Sequence, residues 1–302
     1  MVDELDDLLT RLQASLAPMR GEPRELDGGI TNRNFLVTFG DVEYVVRRPG
    51  KDTELLGIDR DAERIANEAA AGLGIAPAVA LALDDCLVTR FVACRSIGVG
   101  ELAASLDEVD ELARALRSFH DCGAQLPSRF HVPALLDDYA ATVRARGGAV
   151  AGEYDEAVRV AVRICDALAP AQARPCHNDL LAGNVIRSRE DGRLLIVDWE
   201  YAGMGDPRFD LGNLSVNNQF SEATDERLLH AYYGGAPSDA QRAALKLMRA
   251  LSDAREAAWG TVQASISELD FDFAGYARKH FERLRAAVER PQFEQWLVSA
   301  GA

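Results

Sequence analysis

The sequence predicts an α+β chain in two lobes, a small N-terminal lobe rich in β-strands and a larger, mainly helical C-terminal lobe. Three observations predict this architecture. Short β-rich runs before residue 92 follow the order β-β-α-β, which suits a small sheet with one helix. Helical patterns dominate the rest of the chain. A chain of 302 residues, 48% of them hydrophobic, can also bury two cores. We therefore assign residues 1–92 to the N-terminal lobe and 93–302 to the C-terminal lobe.

Local patterns predict each element of the N-terminal lobe. Leucines at helical spacing predict its first helix, which stops near Pro18 and Gly21. Gly40-Asp41 lies between two β-rich runs and predicts a hairpin. The predicted elements are, in order, a helix over 5–16, strands at 35–39 and 44–47, a helix over 59–73 and a strand at 87–92.

Amphipathic patterns predict the helices of the C-terminal lobe. Ser105 and Glu108 form a predicted capping box, and residues 109–119 place apolar side chains on one face. Similar stripes predict helices over 153–169, 238–268 and 273–289. Such stripes indicate faces that pack against a core.

Residues 177–184 and the strand-like run that ends at Asp198 carry the predicted chemistry. A hydroxyl acceptor needs a carboxylate to take its proton, and Mg²⁺ needs oxygen ligands. A loop from Asp179 to Asn184 can turn both side chains toward one pocket, while a buried strand presents Asp198 at its end. The pattern therefore predicts a kinase-type site with Asp179 as the base and Asn184 and Asp198 as metal ligands.

Other interpretations of this segment are weaker. A single Asp or Asn in a turn is usually a cap, but three such residues in this order favour a site. A metal hydrolase built on His177 and Asp179 is disfavoured, because the other histidines show no zinc-like spacing among themselves; they are His120, His131, His230 and His280. His177 is interpreted as a residue that braces the loop by hydrogen bonding.

The run 176–210 closely resembles the choline/ethanolamine kinase branch of the aminoglycoside-phosphotransferase-like superfamily. Residues 26–35 with 44–50, and residues 247–281, resemble the same branch, so the resemblance covers nearly the whole chain. It implies a bilobal protein-kinase-like fold that uses ATP and Mg²⁺ on a small alcohol. Asp206 and Asp210 are similar to loop-bracing residues of the family, although either could face the acceptor instead.

The N-terminal lobe holds the candidates for nucleotide binding. Gly28 and Gly29 precede a strand, where missing side chains would let backbone N–H groups approach phosphate oxygens. On its own, such a pair is usually a turn. Together with the kinase-type loop it predicts a nucleotide lid, to which Thr31, Asn32 and Asn34 could add polar contacts.

Arg47 on the next strand is the best candidate to clamp the phosphates, and Glu63 on the following helix would hold it by a charge pair. Protein kinases place Lys on that strand, whereas many choline-kinase-like proteins use Arg, and a guanidinium fork suits phosphate. Arg48 is the alternative to Arg47, but a regular strand points it to the other face. Glu68 is the alternative to Glu63.

Aromatic and acidic residues are candidates for the acceptor site. A quaternary ammonium is held by aromatic faces and nearby carboxylates. Trp199, Glu200 and Tyr201 follow Asp198, and Trp259 lies in the helical tail. Aromatics on such helices are more often core residues. Further candidates are Tyr276, Glu256, Glu268, Asp270 and Asp272.

Composition and charge predict which kind of ligand the protein binds and in which cellular compartment it lies. A net charge of −15 disfavours nucleic acid and suits a small cationic substrate. Five cysteines without a Cys-x-x-Cys pair predict neither a disulfide framework nor a zinc site. An acidic N-terminal stretch and no apolar run of membrane-spanning length predict a cytoplasmic protein without membrane insertion.

We interpret the chain as an ATP- and Mg²⁺-dependent kinase of the hydroxyl group of choline or ethanolamine. The alternative within the enzyme class is an aminoglycoside or other amino-alcohol phosphotransferase. From a different class, a nucleotide-binding pseudokinase could serve as an interaction module. The complete set of Asp179, Asn184 and Asp198 argues against that alternative.

Overall fold

The computed structural model of the chain describes residues 2–26 and 32–302. Its strands are β1 (Met19–Leu26), β2 (Asn32–Phe39), β3 (Val42–Pro49), β4 (Val79–Leu83), β5 (Cys86–Arg90), β6 (Cys94–Ser96), β7 (Arg174–Cys176), β8 (Val185–Ser188), β9 (Leu194–Ile196) and β10 (Gly203–Gly205). Its helices are α1 (Val2–Ser15), α2 (Arg60–Gly72), α3 (Val99–Ala104), α4 (Leu106–His120), α5 (Val132–Ala145), α6 (Gly152–Ala167), α7 (Pro207–Asn217), α8 (Glu222–Tyr233), α9 (Asp239–Ile266), α10 (Phe273–Val288) and α11 (Phe293–Ala300).

An antiparallel sheet forms the N-terminal part, with strand order β1-β2-β3-β5-β4. Helix α1 covers one face, where Leu12 shares a buried core with Phe35 and Val46. Side chains alternate along a strand, so Val45 and Arg47 of β3 lie on the opposite face and line a cavity. The predicted hairpin between β2 and β3 is confirmed, since Phe39 pairs with Val42 across the turn.

The prediction of a β-β-α-β order was incomplete, because β1 and β4 also belong to the sheet. These strands are its two edges. Strand β1 contains Pro23 and an irregularity between Arg20 and Arg24, and its residues are half-buried or exposed. An edge strand pairs on one side only, so it tolerates Pro and a weak alternation that would disqualify a central strand.

Helix α2 begins where the sequence predicted and sets the position of Glu63. The Asp59 carboxylate accepts hydrogen bonds from the backbone N–H groups of Asp61 and Ala62, both at 3.0 Å. This N-cap satisfies two donors at the start of the helix. Glu63 therefore lies in the first turn, buried beside β3.

The C-terminal part is mainly helical, as predicted, and α9 lies at its centre, packed against α5, α6, α7, α10 and α11. Ala250, Ala254 and Ala258 belong to the large core around it. The predicted capping box is half formed: Ser105 accepts from the Glu108 N–H, but the Glu108 carboxylate binds Arg187 at 2.9 Å. Two small sheets, β6-β8-β9 and β7-β10, hold the loop between β7 and β8.

The sheet and the helical part together confirm the predicted α+β class, with a small β-rich N-terminal part and a larger, mainly helical C-terminal part. We propose that the division between the lobes lies near residue 92, because β5 still pairs within the N-terminal sheet and β6 pairs with β8. Within the described ranges, no helix has both the length and the apolar character needed to cross a bilayer.

Candidate active site

A cavity of about 540 Å³ lies between the N-terminal sheet and the helical part. Asn34, Val45, Arg47 and Leu87 line its sheet side, and Arg47 lies opposite Asn34 and Leu87 in the strand register. The helical side includes most of the residues that the sequence predicted: Asp179, Asn184, Asp198, Glu200, Tyr201 and Trp259.

Buried polar side chains fix the loop that carries Asp179. The Asp210 carboxylate, fully buried in α7, accepts hydrogen bonds from the backbone N–H groups of His177 (2.8 Å) and Asn178 (2.7 Å). His177 Nδ1 accepts from the Asp179 N–H and its Nε2 lies 3.0 Å from the Val197 carbonyl oxygen. A carbonyl only accepts, so Nε2 carries the proton and the ring is neutral. Burial also lowers the pKa of His177.

Asp179 is 7% exposed and held from two sides. Its Oδ1 lies 3.0 Å from Arg255 Nη1, and Asn184 Nδ2 lies 2.8 Å from its backbone carbonyl oxygen and 3.3 Å from its Oδ2. Burial raises the pKa of Asp179, the Arg255 guanidinium opposes the rise, and the nearby Glu256 carboxylate adds to it. A carboxylate in such surroundings can accept a proton more readily than an exposed one.

Asn184 and Asp198 lie side by side because β8 pairs with β9. The Val197 N–H donates to the Asn184 carbonyl oxygen at 3.0 Å, and Asp198 follows in the left-handed region with φ 67°. The Asp198 Oδ1 atom is buried and accepts no hydrogen bond from the described residues. This carboxylate oxygen, which forms an ion pair with Arg47 but accepts no hydrogen bond, and the amide oxygen beside it fit the ligands that Mg²⁺ prefers. The residues present therefore suit a magnesium ion.

Arg47, on strand β3 of the sheet, contacts Asp198 of this pair. Its Nη1 lies 2.6 Å from Glu63 Oε1 and 3.1 Å from Asp198 Oδ1. Burial disfavours the charged guanidinium, but Asp198 and Glu63 raise the pKa of Arg47 and keep it charged. The two alternatives lie elsewhere: Glu68 is half-exposed and binds Arg64, and Arg48 follows Arg47 on the other face of β3.

The predicted nucleotide lid is only partly described. Gly28, Gly29 and Thr31 lie outside the described residues. Asn34 lines the cavity from β2. Asn32 Nδ2 donates to Glu200 Oε2 at 2.8 Å, so this candidate contacts the segment after Asp198.

Aromatic and acidic residues from two segments meet at the other end of the cavity. Trp259 Nε1 donates to the Tyr201 hydroxyl at 2.7 Å, and the Tyr276 hydroxyl donates to Glu256 Oε2 at 2.7 Å. The Trp259 and Tyr276 rings pack edge to face, with centroids 5.5 Å apart. Burial favours the neutral carboxyl, but the charge of Arg255 lowers the pKa of Glu256. This wall therefore combines aromatic rings with an ionised carboxylate.

The prediction that Trp199 lines the acceptor site was wrong. Trp199 is fully buried in the core, its Nε1 donates to the Ile196 carbonyl oxygen, and its ring packs against Phe119 and His177. The left-handed backbone at Asp198 turns the chain, so the next side chain points away from the cavity. Among the other acidic candidates, Asp272 serves as the N-cap of α10.

Arg255 is the residue of the site that the sequence did not reveal. It lies in the middle of α9, is 1% exposed and contacts Asp179, Glu256 and Tyr201. An isolated arginine on a helix usually lies at the surface. The available signal was the alanines at positions 250, 254, 257 and 258 of α9, which indicate a closely packed helix in which a charge needs a partner.

Replacing Asp210 tests whether it supports the loop of Asp179. Burial favours the neutral form, but the hydrogen bond and charge of His120 lower the pKa of Asp210. The charged form therefore stabilises the fold above the ordinary pKa of about 3.9, and this contribution is lost as pH falls through the folded-state pKa. We expect Asp210→Asn to lower the free energy of unfolding by about 3 kcal/mol at pH 7, with a smaller difference in acid.

Urea unfolding of both proteins at neutral and acidic pH measures this difference. Asp41→Asn, at the exposed tip of the β2–β3 hairpin, is the control and should change little. An unchanged unfolding midpoint for Asp210→Asn at pH 7 would contradict the bracing role.

The fold and site together define a protein-kinase-like phosphotransferase. A family model described as the phosphotransferase enzyme family matches residues 22–247. A choline/ethanolamine kinase family protein from Mesorhizobium loti is 31% identical, with 97% of this chain and 99% of that chain covered and a TM-score of 0.80. The chain therefore belongs to the choline/ethanolamine kinase family of these phosphotransferases.

Two LicA proteins are also similar to this chain. Choline kinase LicA from Streptococcus pneumoniae, 22% identical, covers 94% of this chain and 99% of its own with a TM-score of 0.77, and shows the shared fold. Protein LicA from Haemophilus influenzae is 28% identical over 219 residues, which are 68% of this chain. The chain spans 61% of the length of that LicA protein, less than two thirds.

Proposed function

We propose that the protein transfers the γ-phosphoryl group of ATP to the hydroxyl group of choline or ethanolamine. The observation that carries the proposal is the convergence of Arg47, Asp179, Asn184 and Asp198 on one cavity. The relatives support it by their names, which include choline and ethanolamine kinases. A LicA structure in complex with AMP supports a nucleotide in the cavity.

The nucleotide would lie along the sheet side of the cavity. Leu26, Val45, Leu87 and Ile186 offer apolar surface to the adenine ring, and Arg47 offers its guanidinium to the phosphates. Glu63 holds Arg47 from behind, so the fork is fixed before the nucleotide arrives. A preorganised cation loses little freedom when the phosphates bind.

Asp179 would orient the acceptor hydroxyl and take its proton. As the hydroxyl oxygen forms its bond to the γ-phosphorus, the bond from that phosphorus to the bridging oxygen of ADP breaks, and ADP leaves with the electron pair. The proton passes to the Asp179 carboxylate. Mg²⁺ bound by Asn184 and Asp198 would offset the negative charge of the phosphates.

The acceptor's ammonium group would lie against Glu256, Trp259 and Tyr276. An ionised carboxylate and aromatic faces suit a cation, and the ring attraction is worth about 0.5–2 kcal/mol. A primary ammonium could also donate hydrogen bonds to Glu256, which a trimethylated one cannot.

Consumption of ATP across a panel of alcohols tests the proposal. The panel holds choline, ethanolamine, thiamine, homoserine, methylthioribose and aminoglycosides, with each phosphorylated product identified by mass. We expect the highest kcat/KM for choline or ethanolamine. A clear preference for an aminoglycoside would overturn the substrate assignment, and ATP binding without any product would favour the pseudokinase alternative.

Trp259→Ala is expected to raise KM for choline while leaving KM for ATP unchanged. The lost ring face is worth about 0.5–2 kcal/mol, which corresponds to a two- to thirtyfold increase in KM. Ethanolamine should lose less, because Glu256 can still accept its N–H donors. Trp296→Ala, a partly buried tryptophan of α11 outside the cavity lining, is the matched control. Equal increases in KM for choline and ATP would remove Trp259 from the acceptor site.

A further inference from the structure

Arg255 makes three contacts at the floor of the cavity, all from one guanidinium. Its Nη1 lies 3.0 Å from Asp179 Oδ1 and 2.9 Å from Glu256 Oε1. Its carbon Cζ lies 4.2 Å from the centre of the Tyr201 ring, which is the geometry of a cation–π contact. Arg255 thus links α9 directly to the predicted base.

Stability alone does not account for an arginine at this position. Arg255 is 1% exposed, and its Nε and Nη2 atoms have no hydrogen-bond partner among the described residues. Unpaired buried N–H groups are unfavourable, and a buried ion pair as a whole is often no more stable than apolar side chains of similar volume in its place.

We propose that Arg255 is a positioning residue that fixes the orientation of the Asp179 carboxylate toward the acceptor hydroxyl. The terminal torsion of an Asp side chain is broad and nearly two-fold, so burial alone does not fix its plane. Arg255 occupies Oδ1, whereas the contact of Oδ2 with Asn184 Nδ2 is long, at 3.3 Å. Oδ2 therefore remains as the atom that receives the proton. This inference rests on the proposed function.

Tyr201 acts through Arg255 in this arrangement. One face of its ring is already covered by the guanidinium, so that face does not hold the substrate's ammonium. The ring instead supports Arg255 from one side, while Glu256 pairs with it from another. Tyr201 is thus a second positioning residue, one step further from the base.

Steady-state kinetics of four full-length variants test this role. Arg255→Met keeps the side-chain volume but removes the guanidinium. We expect kcat to fall by about 10²-fold, because a misplacement of a reacting group by 1 Å can have this effect. KM for ATP should be unchanged. Arg255→Lys keeps the charge but not the fork and should recover only part of kcat. Tyr201→Leu should lower kcat in the same direction. Tyr201→Phe keeps the ring face but loses the hydroxyl that accepts from Trp259 Nε1, so its kcat should lie between those of Tyr201→Leu and the wild type.

Chemical rescue separates positioning from folding. Millimolar guanidinium chloride should restore part of the kcat of Arg255→Ala and leave the wild type unaffected. In the Asp179→Asn background, Arg255→Met should cost little further, because the two residues act as one unit. Three results would each overturn the proposal. The first is a wild-type kcat in Arg255→Met, and the second is full additivity of its effect with that of Asp179→Asn. The third is a loss of kcat that parallels a fall in melting temperature and is not rescued by guanidinium.

Failure of the proposed function is distinguished from failure of this inference by the activity of the wild-type protein. If wild-type protein phosphorylates neither choline nor ethanolamine, the same variants are compared in acceptor-free ATP hydrolysis. Water then takes the place of the alcohol, and the same carboxylate must be oriented. The positioning role is supported if Arg255→Met hydrolyses ATP more slowly than the wild type and guanidinium restores part of the hydrolysis rate of Arg255→Ala. An unchanged rate of ATP hydrolysis in Arg255→Met overturns it.

Discussion

Asp179→Asn is expected to lower kcat by about 10²-fold or more, the usual contribution of a positioned general base. The amide keeps the shape of the side chain, and its oxygen can still accept from Arg255 Nη1. It cannot take a proton from the acceptor hydroxyl. ATP affinity should be unchanged, because the proposed phosphate clamp is Arg47 with Glu63, and the ion pairs described for these two side chains do not include Asp179.

Turnover and ATP affinity, measured by product formation and by calorimetric titration, check this prediction together. Asp225→Asn is the matched control, because Asp225 is also buried and binds Arg249 at 2.7 Å but lies outside the cavity lining. That variant can lose stability, yet its kcat per folded molecule should stay near the wild-type value. If Asp179→Asn retains wild-type kcat, Asp179 is not the base.

Strong local signals predicted most of the fold. The Asp59 N-cap, the leucine spacing of α1 and the hairpin at Gly40-Asp41 all appear where they were expected. Each depends on interactions within a few residues, which a sequence displays directly. The edge strands β1 and β4 were missed because their pairing is determined by the neighbouring strands rather than by their own pattern.

The candidate site was likewise predicted where the signal is local and missed where it depends on tertiary packing. Loop spacing is a local property, and the structure brings the predicted Asp179, Asn184 and Asp198 to one cavity. Trp199 was misplaced because the direction of a side chain after a left-handed residue depends on backbone geometry that composition does not reveal. Arg255 was missed because its partners are distant in the chain, and only the packing of α9 brings it to Asp179.

Glu108 and Glu200 show how tertiary partners override local expectations. Glu108 was expected to close a capping box, but Arg187 from β8 offers a charged partner. Glu200 was expected to face the acceptor, and it does line the cavity, yet it also binds Asn32 and lies 3.6 Å from Arg60. Charge-assisted contacts are stronger than neutral local ones, so they decide the orientation of these carboxylates.

Asp198→Ala is expected to lower kcat by about 10³-fold or more, since the charge stabilisation that a bound metal provides is worth several kcal/mol. Asp198 offers a buried Oδ1 that accepts no hydrogen bond from the described residues and forms an ion pair with Arg47, and this atom fits Mg²⁺. The fold should persist, because removing this carboxylate leaves Arg47 paired with Glu63 at 2.6 Å. Circular dichroism and thermal melting of the variant check that point.

Measuring turnover as a function of Mg²⁺ concentration distinguishes the role predicted for Asn184 from that predicted for Asp198. Asn184→Ala removes a neutral oxygen and should mainly raise the Mg²⁺ concentration that gives half-maximal turnover, since a carboxylate binds the ion more strongly than an amide does. Asn184 also donates to the Asp179 carbonyl oxygen at 2.8 Å, so some loss of kcat should remain at saturation. Asp198→Ala should stay inactive at every Mg²⁺ concentration. Near-normal turnover of Asp198→Ala at saturating Mg²⁺ would show that the metal is held elsewhere and that the Asp198 carboxylate serves only to hold Arg47.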